Sequence, residues 1–240
     1  DPYLADTTWF TRGWCYSHYN TIPSNPSTKR YTQQIMLQHG MTTVNFDSVS
    51  GSVNTATLNA RVNQGVSVVN HRLSWIGQMG PSDLDGLANG RKLPFVMAVT
   101  CETGSFNYGL AVTEAWVQRG SNSGAIGCVG MSGSGTHVAY NNIVDAGVMW
   151  GLYVLGIHEQ GAALVAAKLQ LYKNYAAFGH LGDVQNFSYW SNLQGDPAVP
   201  IWLAVPRAAV VTRPASVYRY TDNVNVSVTR SGNPVQGALV

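Results

Sequence analysis

The feature that most limits what this chain can fold into is an alternation of two hydrophobic periods. Short, strand-like apolar runs stand at 9–17, 41–46 (MTTVNF), 66–70 (VSVVN), 93–100 (LPFVMAVT) and 124–130. Between and after them lie segments with apolar residues three or four apart: 27–39, 54–64, a short piece at 82–88, 110–119, 137–155 and 160–178. Gly40 suits a C-cap for the first helix. Leu58 and Val62, four apart, follow an Asn54 or Thr55 N-cap and stop at Gly65. The order β-α-β-α-β-(α)-β-α-β-α-α predicts an α/β fold, a mostly parallel sheet covered by helices on both faces. In such sheets functional residues gather beyond the carboxyl ends of the strands. Three segments fall there: Asn70-His71, Cys101, and the SGSGTH loop at 132–137.

Composition narrows the function. Only 11% of residues are charged, against the ~25% usual for soluble domains, so the polar surface is mostly Ser, Thr, Asn, Gln and Gly, as is common in secreted proteins. Net charge is +2 and no basic cluster exceeds Lys29-Arg30 or Arg91-Lys92, which leaves nucleic-acid binding without an electrostatic footprint. No apolar run reaches the ~18 residues of a membrane span. The GMSGSGTH stretch lacks the Lys of a phosphate-binding loop. Carboxylates approach one another only at Asp83 and Asp85, which read as a solvated helix start, so no metal and no cofactor is expected. Asp1-Pro2 opens directly into polar sequence, with no signal peptide, and reads as a processing point or fragment edge.

The three cysteines fit neither a zinc site nor a disulfide framework. Cys15 and Cys128 lie in apolar, strand-like surroundings and read as core thiols. Cys101 differs, because a turn follows it at once (TCETGSF). Its neighbours 103–105 are small enough to leave backbone N–H groups open for an oxyanion. Glu102 reads as a loop cap whose carboxylate works against a reactive thiol. Asp196 reads as a turn residue, His18, His39, His158 and His180 as structural, and Trp75, Trp116, Trp150, Trp190 and Trp202 as core. After residue 195 the character changes. GDPAVPIWLAVP (195–206) carries three prolines, and 216–240 alternates like β-strands around a GNP turn at 232–234. That tail reads as the start of a β-sandwich, too short to hold a core of its own.

Several stretches together resemble the gingipain-type cysteine peptidases, family C25 of the caspase-like clan. GVSVVNHRLSW (65–75) stands where the family has the strand and turn that carry its catalytic His. NGRKLPFVMAVTCETGSF (89–106) stands where it delivers the catalytic Cys, GAIGCVGMSGSGTH where a strand and loop border the pocket, and NLQGDPAVPIWL where the catalytic domain closes. NPVQGALV is similar to the trailing immunoglobulin-like domain. The resemblance implies a caspase-like three-layer sandwich over 1–206, a partial peptidase domain, and the start of an Ig-like domain over 207–240. It implies a secreted or surface endopeptidase acting on proteins or peptides, with Cys101 as nucleophile.

Two departures qualify that implication. Ser74 stands at the catalytic His position and Trp75 at the Gly after it, while His71 is three residues early, on the other face of an extended segment. His137 is the spare histidine by topology. The candidate site is therefore Cys101 with His71 or His137, and a substrate and oxyanion loop of Ser74, Glu102, Thr103 and Gly104. The family's N-terminal sub-domain, with its acidic orienting residue, has no counterpart here, so the expected partners include further domains of one precursor. The alternatives are a pseudo-peptidase serving as an extracellular structural or binding module, and the product of a self-processing precursor.

Overall fold

The computed structural model describes residues 6–18, 22–49, 54–72, 79–107, 109–119 and 122–238. They divide into two compact units, Asp1–Val205 and Pro206–Val240. The first is built on a six-stranded sheet of order β2-β1-β3-β4-β5-β6. The strands are β1 (Arg12–His18), β2 (Thr43–Val49), β3 (Val68–Arg72), β4 (Phe95–Ala98), β5 (Gly127–Met131) and β6 (Ser191–Gly195). All pair in parallel except β6, which runs antiparallel to β5. The helices are α1 (Ser24–Gln38), α2 (Thr55–Asn63), α3 (Val112–Val117), α4 (Val138–Tyr153), α5 (Gln160–Tyr175) and α6 (Leu181–Trp190).

The period of two along each strand divides the core. Phe95, Met97 and Val99 join Cys15, Val68, Val129 and Met131 against α1, α4, α5 and α6. Val96 and Ala98 join Trp14, Tyr16, Val69 and Cys128 against α2 and α3. A strand buried on both faces reads as one continuous apolar run, which is why LPFVMAV was legible as such. The caps follow local chemistry. Asn54 accepts the Thr57 N–H at 3.0 Å to start α2, and Gly40, at φ +108, lets the chain leave α1.

The structure corrects several details. Residues 8–11 form a 3-10 turn, not strand, and Trp9 stacks on Phe10 with ring centroids 4.2 Å apart. β3 continues to Arg72, so His71 lies inside the strand rather than beyond its end. The piece expected at 82–88 is a single 3-10 turn, Pro81–Leu84, whose Asp83 accepts the Gly80 N–H. Helix α6 and strand β6 were not foreseen. Trp116 is core, but Trp150 and Trp202 are 38% and 46% exposed, on outward-facing positions.

The second unit is a small antiparallel sheet of β7 (Val210–Thr212), β8 (Ser227–Arg230) and β9 (Asn233–Pro234). Its tight turn falls at Ser231 and Gly232, both at positive φ, one residue earlier than the GNP signal suggested. Among the described residues no helix is long and apolar enough to cross a membrane.

Candidate active site

β4 delivers Cys101 to the carboxyl edge of the sheet through a turn pinned to the end of β5. Thr103 Oγ1 lies 2.5 Å from the Ala98 carbonyl and 2.8 Å from that of Thr100, and accepts the Met131 N–H at 3.1 Å. Gly104 N–H donates to the Met131 carbonyl (3.0 Å) and Glu102 N–H to the Gly133 carbonyl (3.1 Å). Glu102 holds this turn at φ +58, a left-handed conformation uncommon for a residue with a side chain. The close approach needs Gly130. A Cβ there would lie 2.5 Å from Thr113 Cγ2 and 3.0 Å from the Gly104 nitrogen.

These contacts change the expectation for the loop. The N–H groups of Glu102, Thr103, Gly104 and Ser105 all bond to protein carbonyls, those of Thr103 and Ser105 at 3.3 and 3.2 Å to Thr100 and Glu102. Thr103 and Gly104 therefore brace the turn that carries Cys101 instead of presenting open oxyanion donors. Ser74 and Trp75 lie outside the described residues.

Cys101 is partly exposed, whereas Cys15 and Cys128 are buried. Burial pushes the Cys15 thiol up to about 12 and that of Cys128 well above its ordinary value, so both are inert. Cys101 Sγ lies 2.9 Å from Thr136 Oγ1 and 4.0 Å from the Thr136 carbonyl. Thr136 belongs to the loop after β5, and three contacts shape that loop. Ser132 N–H donates to the Trp190 carbonyl (2.8 Å), Asn192 Nδ2 donates to Ser132 Oγ (3.1 Å), and Trp190 covers Gly133 where any Cβ would collide. The unforeseen α6–β6 corner thus fixes the loop that meets Cys101.

The two candidate histidines go to different places. His71 shares the parity of Val69 and faces the α2/α3 side, fully enclosed, with Nε2 unpartnered. Burial, with the Lys29 charge adding to it, pulls its pKa down to about 3, so its imidazole is neutral near pH 7. His137 is the N-cap of α4. Its Nδ1 accepts the Ala139 N–H at 3.2 Å, and its ring lies 5.5 Å from that of Tyr140. Thr136 turns its side chain to Cys101. His137, next to it in extended backbone, turns its own to the helix.

Beneath the site lies a buried charge cluster that the sequence did not announce. Lys29 Nζ is 2.5 Å from Asp145 Oδ2, both side chains fully buried, and Lys29 also donates to Asn70 Oδ1. Asn70 Nδ2 donates to Thr32 Oγ1 at 3.3 Å. Arg72, on the same face of β3 as Asn70, donates from Nη1 to Asn142 Oδ1 at 2.8 Å. Burial lowers its pKa to about 10, opposed by the charges of Asp145 and Cys101. Asn141 Nδ2 donates to Thr136 Oγ1 at 2.9 Å. Lys29 and Asp145 are 116 residues apart, and the one signal for them was a charged residue inside an otherwise apolar helix pattern, Asp145. Asn141 and Asn142 carried no signal, and Thr136 only its place in the SGSGTH loop at the sheet edge. Among the described residues, no three His, Cys, Asp or Glu side chains gather as metal ligands. Asp196 is the turn residue expected, its Oδ1 accepting the Ala198 N–H. His180 has a role of its own, sharing the Tyr140 hydroxyl with Asp183.

The sequence profile of peptidase family C25 matches residues 11–202. The chain belongs to peptidase family C25. The chain superposes on the Arg-specific cysteine proteinase gingipain R (RgpB) with a TM-score of 0.82 and 18% identity, over 93% of this chain and 55% of that one. A complex of Porphyromonas gingivalis RgpB pro- and mature domains gives 0.81 and 18%, over 93% and 56%. A third solved structure, described as a protease, gives 0.74 and 16%, over 95% and 56%. This likeness establishes the fold, a caspase-like α/β sandwich. The C25 chain described here spans little more than half the length of those proteins. No curated protein sequence matches it.

Proposed function

We propose that this C25 chain is the nucleophile-bearing part of a secreted or cell-surface cysteine endopeptidase. The observation that carries the reading is a partly exposed Cys101 at the carboxyl end of β4, on a rigid turn, in a member of a peptidase family. In this reading Cys101 Sγ attacks the carbonyl carbon of a peptide. The S–C bond forms, the C–N bond breaks, and the thiol proton leaves with the amine by way of a base. Residues 1–206 then constitute the partial peptidase domain and 207–240 the start of an Ig-like domain. Further domains of the same precursor would complete the substrate cleft.

For the base, His137 is the better of the two histidines. It is exposed, whereas a neutral, enclosed His71 with a pKa of about 3 does not hold a proton near neutral pH. With Nδ1 accepting the Ala139 N–H, its Nε2 carries the ring proton, so Nδ1 is the nitrogen that would take the thiol proton. To act, His137 must give up the Ala139 N–H. That commitment supports a second reading, a pseudo-peptidase that keeps the scaffold and the thiol as an extracellular binding or structural module. A fluorescent casein or peptide-library assay on the wild type and Cys101→Ala separates the two. Hydrolysis abolished by Cys101→Ala supports the peptidase. No hydrolysis from a folded wild type refutes turnover by this chain alone and leaves the binding module.

A further inference from the structure

We infer that Thr136 is the hydroxyl donor that holds the Cys101 sulfur in its anionic form, and that Asn141 sets the direction of that hydrogen bond. This rests on the reading of Cys101 as a nucleophile, and adds to it a residue outside the expected His–Cys pair.

A threonine hydroxyl has one proton and two lone pairs. Asn141 Nδ2, an amide donor, points at Thr136 Oγ1 from 2.9 Å and occupies a lone pair. The hydroxyl proton is then free for Cys101 Sγ, 2.9 Å away. A thiolate can only accept, so this is the direction in which the contact strengthens as the thiol loses its proton. With the Asn141 amide reversed, its oxygen would claim the Thr136 proton and the sulfur would lose the donor. Asn141 is 2% exposed, and among the described residues its Oδ1 has no partner.

Every part of this relay is held from behind. Thr136 follows a loop tied to Trp190 and Asn192, and Asn141 ends the first turn of α4, whose next turn carries Asp145 of the buried ion pair. The sulfur is held by the turn that Thr103 and Gly130 pin to β5.

The test is the rate at which iodoacetamide alkylates Cys101 in the folded protein at fixed pH, read by mass spectrometry of the Cys101 peptide. The enclosed Cys15 and Cys128 serve as internal controls. In the reaction the sulfur–carbon bond forms, iodide leaves, and the thiol proton passes to buffer. A hydrogen bond to a charged group is worth about one to two orders of magnitude in thiolate population, of which the weaker nucleophilicity of the stabilised thiolate gives back nearly half on a log scale. Thr136→Val, which keeps the shape and removes the donor, is expected to slow alkylation by about 5- to 15-fold. Thr136→Ser, which keeps the donor and removes the methyl, is expected to stay within about 3-fold of wild type, since a lost methyl touches packing only. Thr136→Ala stands in if the valine does not fold. A reactive wild-type Cys101 whose rate is unchanged in Thr136→Val, or falls equally in Thr136→Ser, overturns the assignment of Thr136 and leaves the nucleophile intact. A wild-type Cys101 that iodoacetamide does not modify until the protein unfolds overturns both.

Discussion

Replacing Lys29 by Met should destabilise the protein by about 3–5 kcal/mol, the cost of removing one member of a fully buried pair. The Asp145 carboxylate is completely enclosed, its Oδ1 has no hydrogen-bond partner among the described residues, and its Oδ2 depends on Lys29 at 2.5 Å. Without the ammonium a bare carboxylate remains in the core, and the Asn70 oxygen loses its donor as well. Met fills much of the lysine stem's volume, so lost packing contributes less than lost charge. The double variant Lys29→Met/Asp145→Leu removes both charges and should recover most of the loss, because a buried ion pair is often no more stabilising than well-packed apolar residues. Urea unfolding of the four proteins in the cycle, followed by tryptophan fluorescence, gives the free energies, and the non-additive part gives the coupling. A loss below about 1 kcal/mol in Lys29→Met would refute the argument, for it would mean that the carboxylate is hydrated or paired elsewhere.

Two further outcomes follow from the geometry. A His71 with its folded pKa near 3, against about 6.5 unfolded, takes up a proton only on unfolding between those values. Stability from this group is therefore complete above pH ~6.5 and is lost as pH falls toward 3. At pH 5 the loss is about 2 kcal/mol, and His71→Leu should lack that part of the slope when urea midpoints at pH 7 and pH 5 are compared. At Gly130 a methyl group meets Thr113, Thr103 and the Gly104 backbone. Gly130→Ala should cost about 1–3 kcal/mol and lower the alkylation rate of Cys101, whereas unchanged stability would show that the turn is softer than its contacts imply.

Much of this fold was legible because its strands are buried on both faces. The runs that hold FVMA and GCVGM read as strands, and Gly40, Asn54 and Gly65 marked helix ends by conformations or caps that few other residues supply. The α6–β6 corner was not legible. Along α6 only Val184 and Phe187 are fully enclosed, and β6 is an edge strand of Ser, Asn, Leu, Gln and Gly, so neither period stands out. The site divides in the same way. Cys101 announced itself as the polar end of an apolar run. Thr136 and Asn141 did not, since a threonine in a Gly-Ser loop and an asparagine in a helix are unremarkable until the chain brings residue 136 to residue 101. The expectation of open amides at Thr103 and Gly104 failed because small side chains signal close backbone approach as well as free donors, and here Gly104 gives its N–H to the Met131 carbonyl of β5 and Thr103 gives its own to Thr100 in the same turn.

The polar residues of α4 bear on why such a cluster persists. Asn141, Asn142 and Asp145 lie three or four apart or adjacent, hence on one face of the helix, and that face meets Thr136, Arg72 and Lys29 respectively. Two cations and one anion enclosed in a core are a poor means of gaining stability. They do fix how far α4 is advanced along its axis against α1 and β3, because a shift by one residue would strand three charges at once. That register places Asn141 under Thr136, and Thr136 against the sulfur. The Lys29→Met/Asp145→Leu protein should fold with nearly wild-type stability and yet alkylate Cys101 several-fold more slowly, as α4 loses its polar register. If alkylation is unchanged at full stability, the cluster and the thiol are independent, and the helix is positioned by its apolar packing alone.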